Sequence, residues 1–137
     1  MENALETVIS ALLLCLEDGD NSVRAFAAFA LGKLGNASEA VISALLLCLE
    51  DEEEWVRASA GEALGNLGNA SEVVISSLLL RLEDSDKLVR REAVEALGKL
   101  GLKSDEVLPA VVQWIDRPQD TAYVGSGIDV LWDLAAS

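Results

Sequence analysis

SEAVISALLLCLEDEEEWVRASAGEALGNLGNA, residues 38–70, is written about four times along this chain. Residues 5–37 match it at 23 of 33 positions and residues 71–103 at 20 of 33. Val8, Val41, Val74 and Val107 mark the period; so do Arg24, Arg57 and Arg90. Self-similarity at a fixed period of this length is the signature of a solenoid of supersecondary units. The expected units are 5–37, 38–70, 71–103 and 104–137, forming a single repeat domain over 1–137 with the last unit a divergent C-terminal cap.

Each unit reads as two helices. In the second unit Val41, Ile42, Leu45, Leu46 and Leu49 form an apolar stripe with helical spacing, predicting a helix over 38–49. Asn36 and Ser38 are candidate N-caps, and Asn36 with Glu39 has capping-box spacing. A second helix over 54–67 would bury Val56, Ala60, Ala63, Leu64 and Leu67, with Gly68 ending it in the left-handed region. The other pairs are expected at about 6–16 and 21–34, 71–82 and 87–100, and 105–115 and 121–135. In the last pair Leu108, Val111, Val112 and Ile115 should face inward, Asp120 should cap, and Tyr123, Ile128, Leu131 and Leu134 should take core positions after a one-residue shift. One such pair cannot bury both apolar faces, so stability must come from stacking on neighbours.

Composition narrows the function. Apolar residues make up 51 % of the chain and aromatics only 4 %, a core of small and branched side chains suited to closely packed helices. The net charge of −14 argues against nucleic acid or an anionic membrane as partner, because phosphate binding relies on Lys and Arg. No apolar run approaches the ~18 residues a membrane span needs, and no secretion signal opens the sequence. Cys15 and Cys48 lie one repeat apart, too far for a relaxed disulfide between stacked helices. They are expected to be reduced, semi-buried thiols, as in a cytoplasmic protein.

Catalytic equipment is sparse. The chain has no histidine, which removes the commonest general base and metal ligand. Two cysteines alone make no zinc site. The acidic run Glu50–Glu54 lacks the pattern of a calcium loop. The glycines at 32, 35, 65, 68, 98 and 101 follow the repeat and read as packing and C-cap residues, not as a phosphate loop. No catalytic, metal or cofactor site is therefore expected.

Recognition is the remaining role. In a solenoid the second helices line the inner face, and positions outside the repeat pattern are free to vary. The varying columns include Ser22/Trp55/Leu88, Ala25/Ala58/Arg91, Phe26/Ser59/Glu92 and Phe29/Glu62/Glu95. Trp55, Leu88, Arg91, Phe26, Phe29, Glu62 and Glu95 form the candidate partner-binding patch, since exposed aromatics with arginine nearby are typical interface anchors. Phe26 and Phe29 have a second explanation. They would cover the open end of the first unit, either against a repeat missing from a longer array or in end-to-end self-association through the N-terminal repeat. Of the remaining tryptophans, Trp132 is expected to pack and Trp114 to lie open.

The series Asp51, Val56–Arg57, Ala60, Ala63–Leu64–Gly65, Leu67–Gly68, with Asp18 and Val23–Arg24, and Asp84 and Val89–Arg90, resembles HEAT repeats of the phycobilin-lyase type. The resemblance covers three units strongly and the fourth weakly, since Val124 replaces the arginine there. It implies an all-α fold, a right-handed α-solenoid of four helix-turn-helix repeats. It also implies a structural ladder in which Asp18, Asp51 and Asp84 hydrogen-bond with Arg24, Arg57 and Arg90 across the turns. The connection AsnAlaSerGlu at 36–39 and 69–72 is similar to bacterial, cyanobacterial-type arrays, to the repeat tails of large signalling ATPases and to parents of engineered binding scaffolds. Three functions follow as expectations. The first is a non-enzymatic scaffold binding a protein or peptide. The others are a bilin-lyase-like protein and an architectural segment of a larger or engineered protein.

Overall fold

The computed structural model describes residues 3–116 and 121–136, with the backbone alone for 121–124. Among these residues the chain forms eight helices and no strand. They are α1 (Ala4–Cys15), α2 (Asn21–Leu34), α3 (Glu39–Cys48), α4 (Glu54–Leu67), α5 (Glu72–Arg81), α6 (Lys87–Gly101), α7 (Val107–Asp116) and α8 (Thr121–Ala136).

Local chemistry sets the boundaries. Ser38 and Ser71 cap α3 and α5 by accepting from the N–H groups of Val41 and Val74. Asn36 does not form the expected capping box: its Oδ1 accepts from Ser38 N–H, one residue too early, and Glu39 is the first helical residue. Gly35 and Gly68 end α2 and α4 at φ 73° and 72°, a conformation that costs glycine nothing. Gly101, which the repeat places at the same point, does not do so: α6 runs through it and stops at Leu102.

Odd-numbered helices pack on the even-numbered helix that follows, and α2, α4, α6 and α8 stack in chain order. The even helices come very close. A Cβ at Gly32 would lie 2.7 Å from Cα of Ala63, and one at Gly65 would lie 2.8 Å from Cα of Ala96. These are backbone-to-backbone contacts that only glycine facing alanine permits, at the short end of the 8–10 Å range of helix spacings. The odd helices, by contrast, touch one another far less, and grooves of about 400 and 560 Å3 lie between α3 and α5 and between α5 and α7. Tight spacing on one side and splayed spacing on the other curve the stack, with the even helices on the inner wall.

The core runs through all four pairs. Leu31, Val41, Leu45, Val56, Leu64, Val74, Leu78, Leu97, Leu100, Val107, Val111 and Val130 are inaccessible to solvent. Val8, at the position of Val41 and Val74, is 45 % exposed, because among the described residues no helix stacks on that side of α1. Cys15 is half-buried and Cys48 buried; both are free thiols, and burial pushes the Cys48 thiol up to about 11.

The last pair departs from expectation. Trp114, expected at the surface, is buried, while Leu108 and Val112 are exposed. The cause is a slot at Gly127: a Cβ there would meet Ile115 Cγ1 at 2.7 Å and the Trp114 ring at 2.9 Å, so α7 rolls its indole into space that glycine leaves empty. Trp132, expected to pack, is 73 % exposed. It lies about 200° around α8 from the buried Val130 and so faces the inner wall. Ile128 is exposed as well, and Leu131 and Leu134 are half-buried. The expected cap at Asp120 and core position of Tyr123 lie outside the described residues and side chains.

Candidate functional site

The expected recognition residues divide between two hollows on the inner wall. Phe26 and Phe29 of α2 meet Trp55 and Glu62 of α4 around a groove of about 460 Å3, completed by Asn21, Ser22, Ala25 and Ser59. Phe26 is 74 % exposed and Trp55 62 %. These aromatics stand open because their positions point away from the stripe that α2 and α4 bury in the stack. Lys33 Nζ lies 5.2 Å from the centre of the Phe29 ring, a cation–π contact at the far end of the groove.

Arg91 and Glu95 belong to the second hollow, between α6 and α8, which Lys87, Val94 and Trp132 also line. Their own ion pair is loose, 3.6 Å and exposed. Leu88 is half-buried and lines neither hollow. Sequence reasoning misses Trp132 as a surface residue. Its column on the even helices holds Gly98 one repeat earlier, which gives no sign of an aromatic there.

Between the two hollows the wall is acidic. The Glu92 carboxyl titrates above its usual range, because burial disfavours its charge and Glu95 and Glu62 repel it. Lys99 braces the wall here, its Nζ donating to Asn66 Oδ1 at 2.8 Å.

Aspartates and arginines join the repeats along their turns, and the bonds have a direction. Arg24 donates through Nε and Nη2 to both carboxylate oxygens of Asp51 (2.9 and 3.1 Å), and Arg57 does the same to Asp84 (2.9 and 3.0 Å). Such paired, charge-assisted bonds are the strongest geometry a guanidinium makes. Within its own repeat each of these arginines also ties down the backbone: Arg24, Arg57 and Arg90 donate through Nη1 to the carbonyls of Asp18, Asp51 and Asp84. Each aspartate also accepts the N–H two residues on, from Asp20, Glu53 and Asp86, which fixes the entry to the next helix. Asp84 accepts further from Arg81 Nη1 at 3.4 Å. Among the described residues the exposed Asp18 carboxylate accepts from the Asp20 N–H and meets no guanidinium, which reaches Asp18 only at its carbonyl.

These groups predict a pH response. Burial opposes the charge of Asp51, but the Arg24 bonds, the Glu53 N–H and the charges of Arg24 and Arg57 outweigh it and hold the carboxyl below its usual range. A carboxylate depressed in the fold stabilises it above the unfolded value of about 3.9, and the benefit disappears as pH falls through the folded value. The melting temperature of Asp51→Asn should therefore fall below the parent's at pH 7 and approach it only as the pH is taken below about 4. A constant difference across that range would remove the ion pair as its cause.

No cluster of three or more ligand-type residues placed to hold a metal occurs among the described residues. No helix among them is long and apolar enough to cross a membrane.

HEAT repeats match residues 9–82, more than half of the chain, and the PBS lyase HEAT-like repeat matches residues 89–114. The chain belongs to the HEAT-repeat family. Among solved structures, these repeats superpose on the complex of CpcE and CpcF of phycocyanin lyase from Nostoc sp. PCC7120. That match has a TM-score of 0.72 at 28 % identity, over 93 % of this chain and 53 % of the other. Two engineered proteins share the HEAT-like fold at 19 % identity. Their TM-scores are 0.67 and 0.64, over 93 % and 99 % of this chain and 62 % and 65 % of theirs. The HEAT repeats here thus span about half to two thirds of these three chains. No curated protein gives a significant match.

Proposed function

We propose that this single HEAT-repeat domain, residues 1–137, is a non-enzymatic scaffold that binds a protein or peptide on the inner wall of its even helices. The observation that carries this reading is the groove in which Phe26, Phe29 and Trp55 stand open side by side. Three aromatics on one wall are costly to leave in water and release about 25 cal/mol per Å2 when a partner covers them. Polar groups at the rim set the chemistry of that partner. An apolar side chain enters between Phe26 and Trp55. A basic one, a position or two along, relieves the repulsion among Glu62, Glu92 and Glu95. The net charge of −14 speeds the approach of a basic partner. The open side of α1 offers a separate, end-to-end contact between copies.

A binding experiment decides it. The chain is used as bait in its source lysate beside Trp55→Ala and the pair Phe26→Ala/Phe29→Ala. Truncating an interface anchor costs about 2 kcal/mol, so each variant should retain roughly 30-fold less of the true partner. Retention of every partner by both variants would end the inner-wall reading.

The likeness to phycocyanin lyase subunits supports a second reading, that the same groove handles a bilin. Aromatic side chains suit the pyrrole rings, but the groove places Glu62 where an anionic pigment needs cations, and neither histidine nor cysteine lines it. An absorbance titration with a free bilin separates the readings: a saturable red shift lost in Trp55→Ala would favour the pigment.

A further inference from the structure

The outer side carries a feature that inner-wall binding leaves unused. Leu14, Leu47 and Leu80 occupy the same position in three successive repeats, and they are 71, 72 and 53 % exposed. They lie off the stripe that α1, α3 and α5 turn inward, so stacking does not require them. Leu47 and Leu80 share the groove between α3 and α5, and Leu80 borders the next groove, between α5 and α7. Leucine ridge and grooves thus form one surface across the splayed odd helices. Its fourth position is Gln113, where the apolar line stops.

Charge selects the occupant. Glu50 lines the first groove opposite Arg81, and Glu72 and Glu106 line the second. The described odd helices carry a single cation, Arg81, already bonded to the Leu49 carbonyl and to Asp84. Acidic borders repel an anionic membrane and a second copy of the same face, and attract lysine and arginine. Spacing selects the shape. Successive repeats lie roughly 10 Å apart, and seven residues of an α-helix rise about 10.5 Å. A helix laid along the stack therefore meets one leucine per heptad.

We propose that the outer face of α1, α3 and α5 binds an amphipathic helix of a partner protein, with an apolar residue about every seventh position and lysine or arginine beside it. The probe is a fluorescein-labelled synthetic helix of about 21 residues, enough to cross three repeats. It has leucine in heptad register, alanine between, and lysine flanks. Fluorescence anisotropy with the full chain should show saturable binding. Leu14→Gln/Leu47→Gln/Leu80→Gln, folded by circular dichroism, should weaken it at least about tenfold, and by more than Trp55→Ala does. A peptide with glutamate in place of lysine should not bind.

Unchanged binding by the triple variant, or equal binding of the glutamate peptide, overturns the proposal. So does a parent chain that sediments as a dimer which the triple variant dissolves, because a second copy then covers the ridge. Since Trp55 and the leucines lie on opposite sides, failure here leaves the inner-wall reading standing, and the reverse holds.

Discussion

Asp84→Ala should lower the melting temperature by about 10 °C, the largest loss expected of any single side-chain truncation here. Among the described residues Asp84 is the one buried charged residue in the core, its side chain 3 % exposed. Its carboxylate holds four donors: two from Arg57, one from Arg81 and the N–H of Asp86. Alanine leaves the Arg57 guanidinium, itself only 12 % exposed, with carbonyl partners alone. Removing one member of a buried pair costs about 3–5 kcal/mol, because the other charge stays desolvated. The entry to α6 loosens at the same time, since Asp86 N–H loses its acceptor while Asp86 caps the helix. Thermal and urea unfolding of parent, Asp84→Ala and Arg57→Met/Asp84→Leu give the answer. The apolar double variant should recover part of the loss. A midpoint for Asp84→Ala within about 2 °C of the parent would show that the tie between repeats is not a source of stability.

Gly65→Leu should cost about 3 kcal/mol, and it should also split the unfolding transition. Even a bare Cβ at this position would stand 2.8 Å from Ala96 Cα and 2.9 Å from its Cβ, against backbone that cannot swing aside. Leucine adds three more carbons to that contact, so α4 and α6 must separate. Separation stretches the Arg57–Asp84 bonds, which cross the same junction. Helix propensity returns at most about 1 kcal/mol relative to glycine, too little to compensate. Gly19, between α1 and α2, is the control: a Cβ added there would meet nothing within 4 Å. Gly19→Ala should change stability by less than about 0.5 kcal/mol. A single unshifted transition for Gly65→Leu would mean that the even helices are not in backbone contact.

The helices were legible because each repeat states its pattern several times. Val41, Ile42, Leu45 and Leu49 are buried as their spacing requires, and so are Val56, Ala60, Ala63 and Leu64. The end of the array was harder to read because packing there depends on a vacancy. Nothing in the spacing of α7 says that Gly127 leaves room for the Trp114 ring, and without that slot Leu108 and Val112 would be the natural core residues. The direction of the arginine bonds was also hidden. A one-dimensional pattern places Asp51 six residues before Arg57, yet Arg57 takes the carboxylate of Asp84, 27 residues on. The inner aromatics could be found because they break the pattern, whereas Leu14, Leu47 and Leu80 obey it. A residue repeated in every copy reads as framework until its exposure is known.

The junctions have an evolutionary corollary. Arg24 to Asp51 and Arg57 to Asp84 span the same distance along the chain, as do Gly32 to Ala63 and Gly65 to Ala96. Every unit thus presents a socket on one side and the matching plug on the other. Unequal crossing-over within the gene that inserted or removed one such block would produce a new junction already fitted to its neighbours. The length of this wall can therefore drift by whole copies while selection works on the few variable side chains that each copy displays.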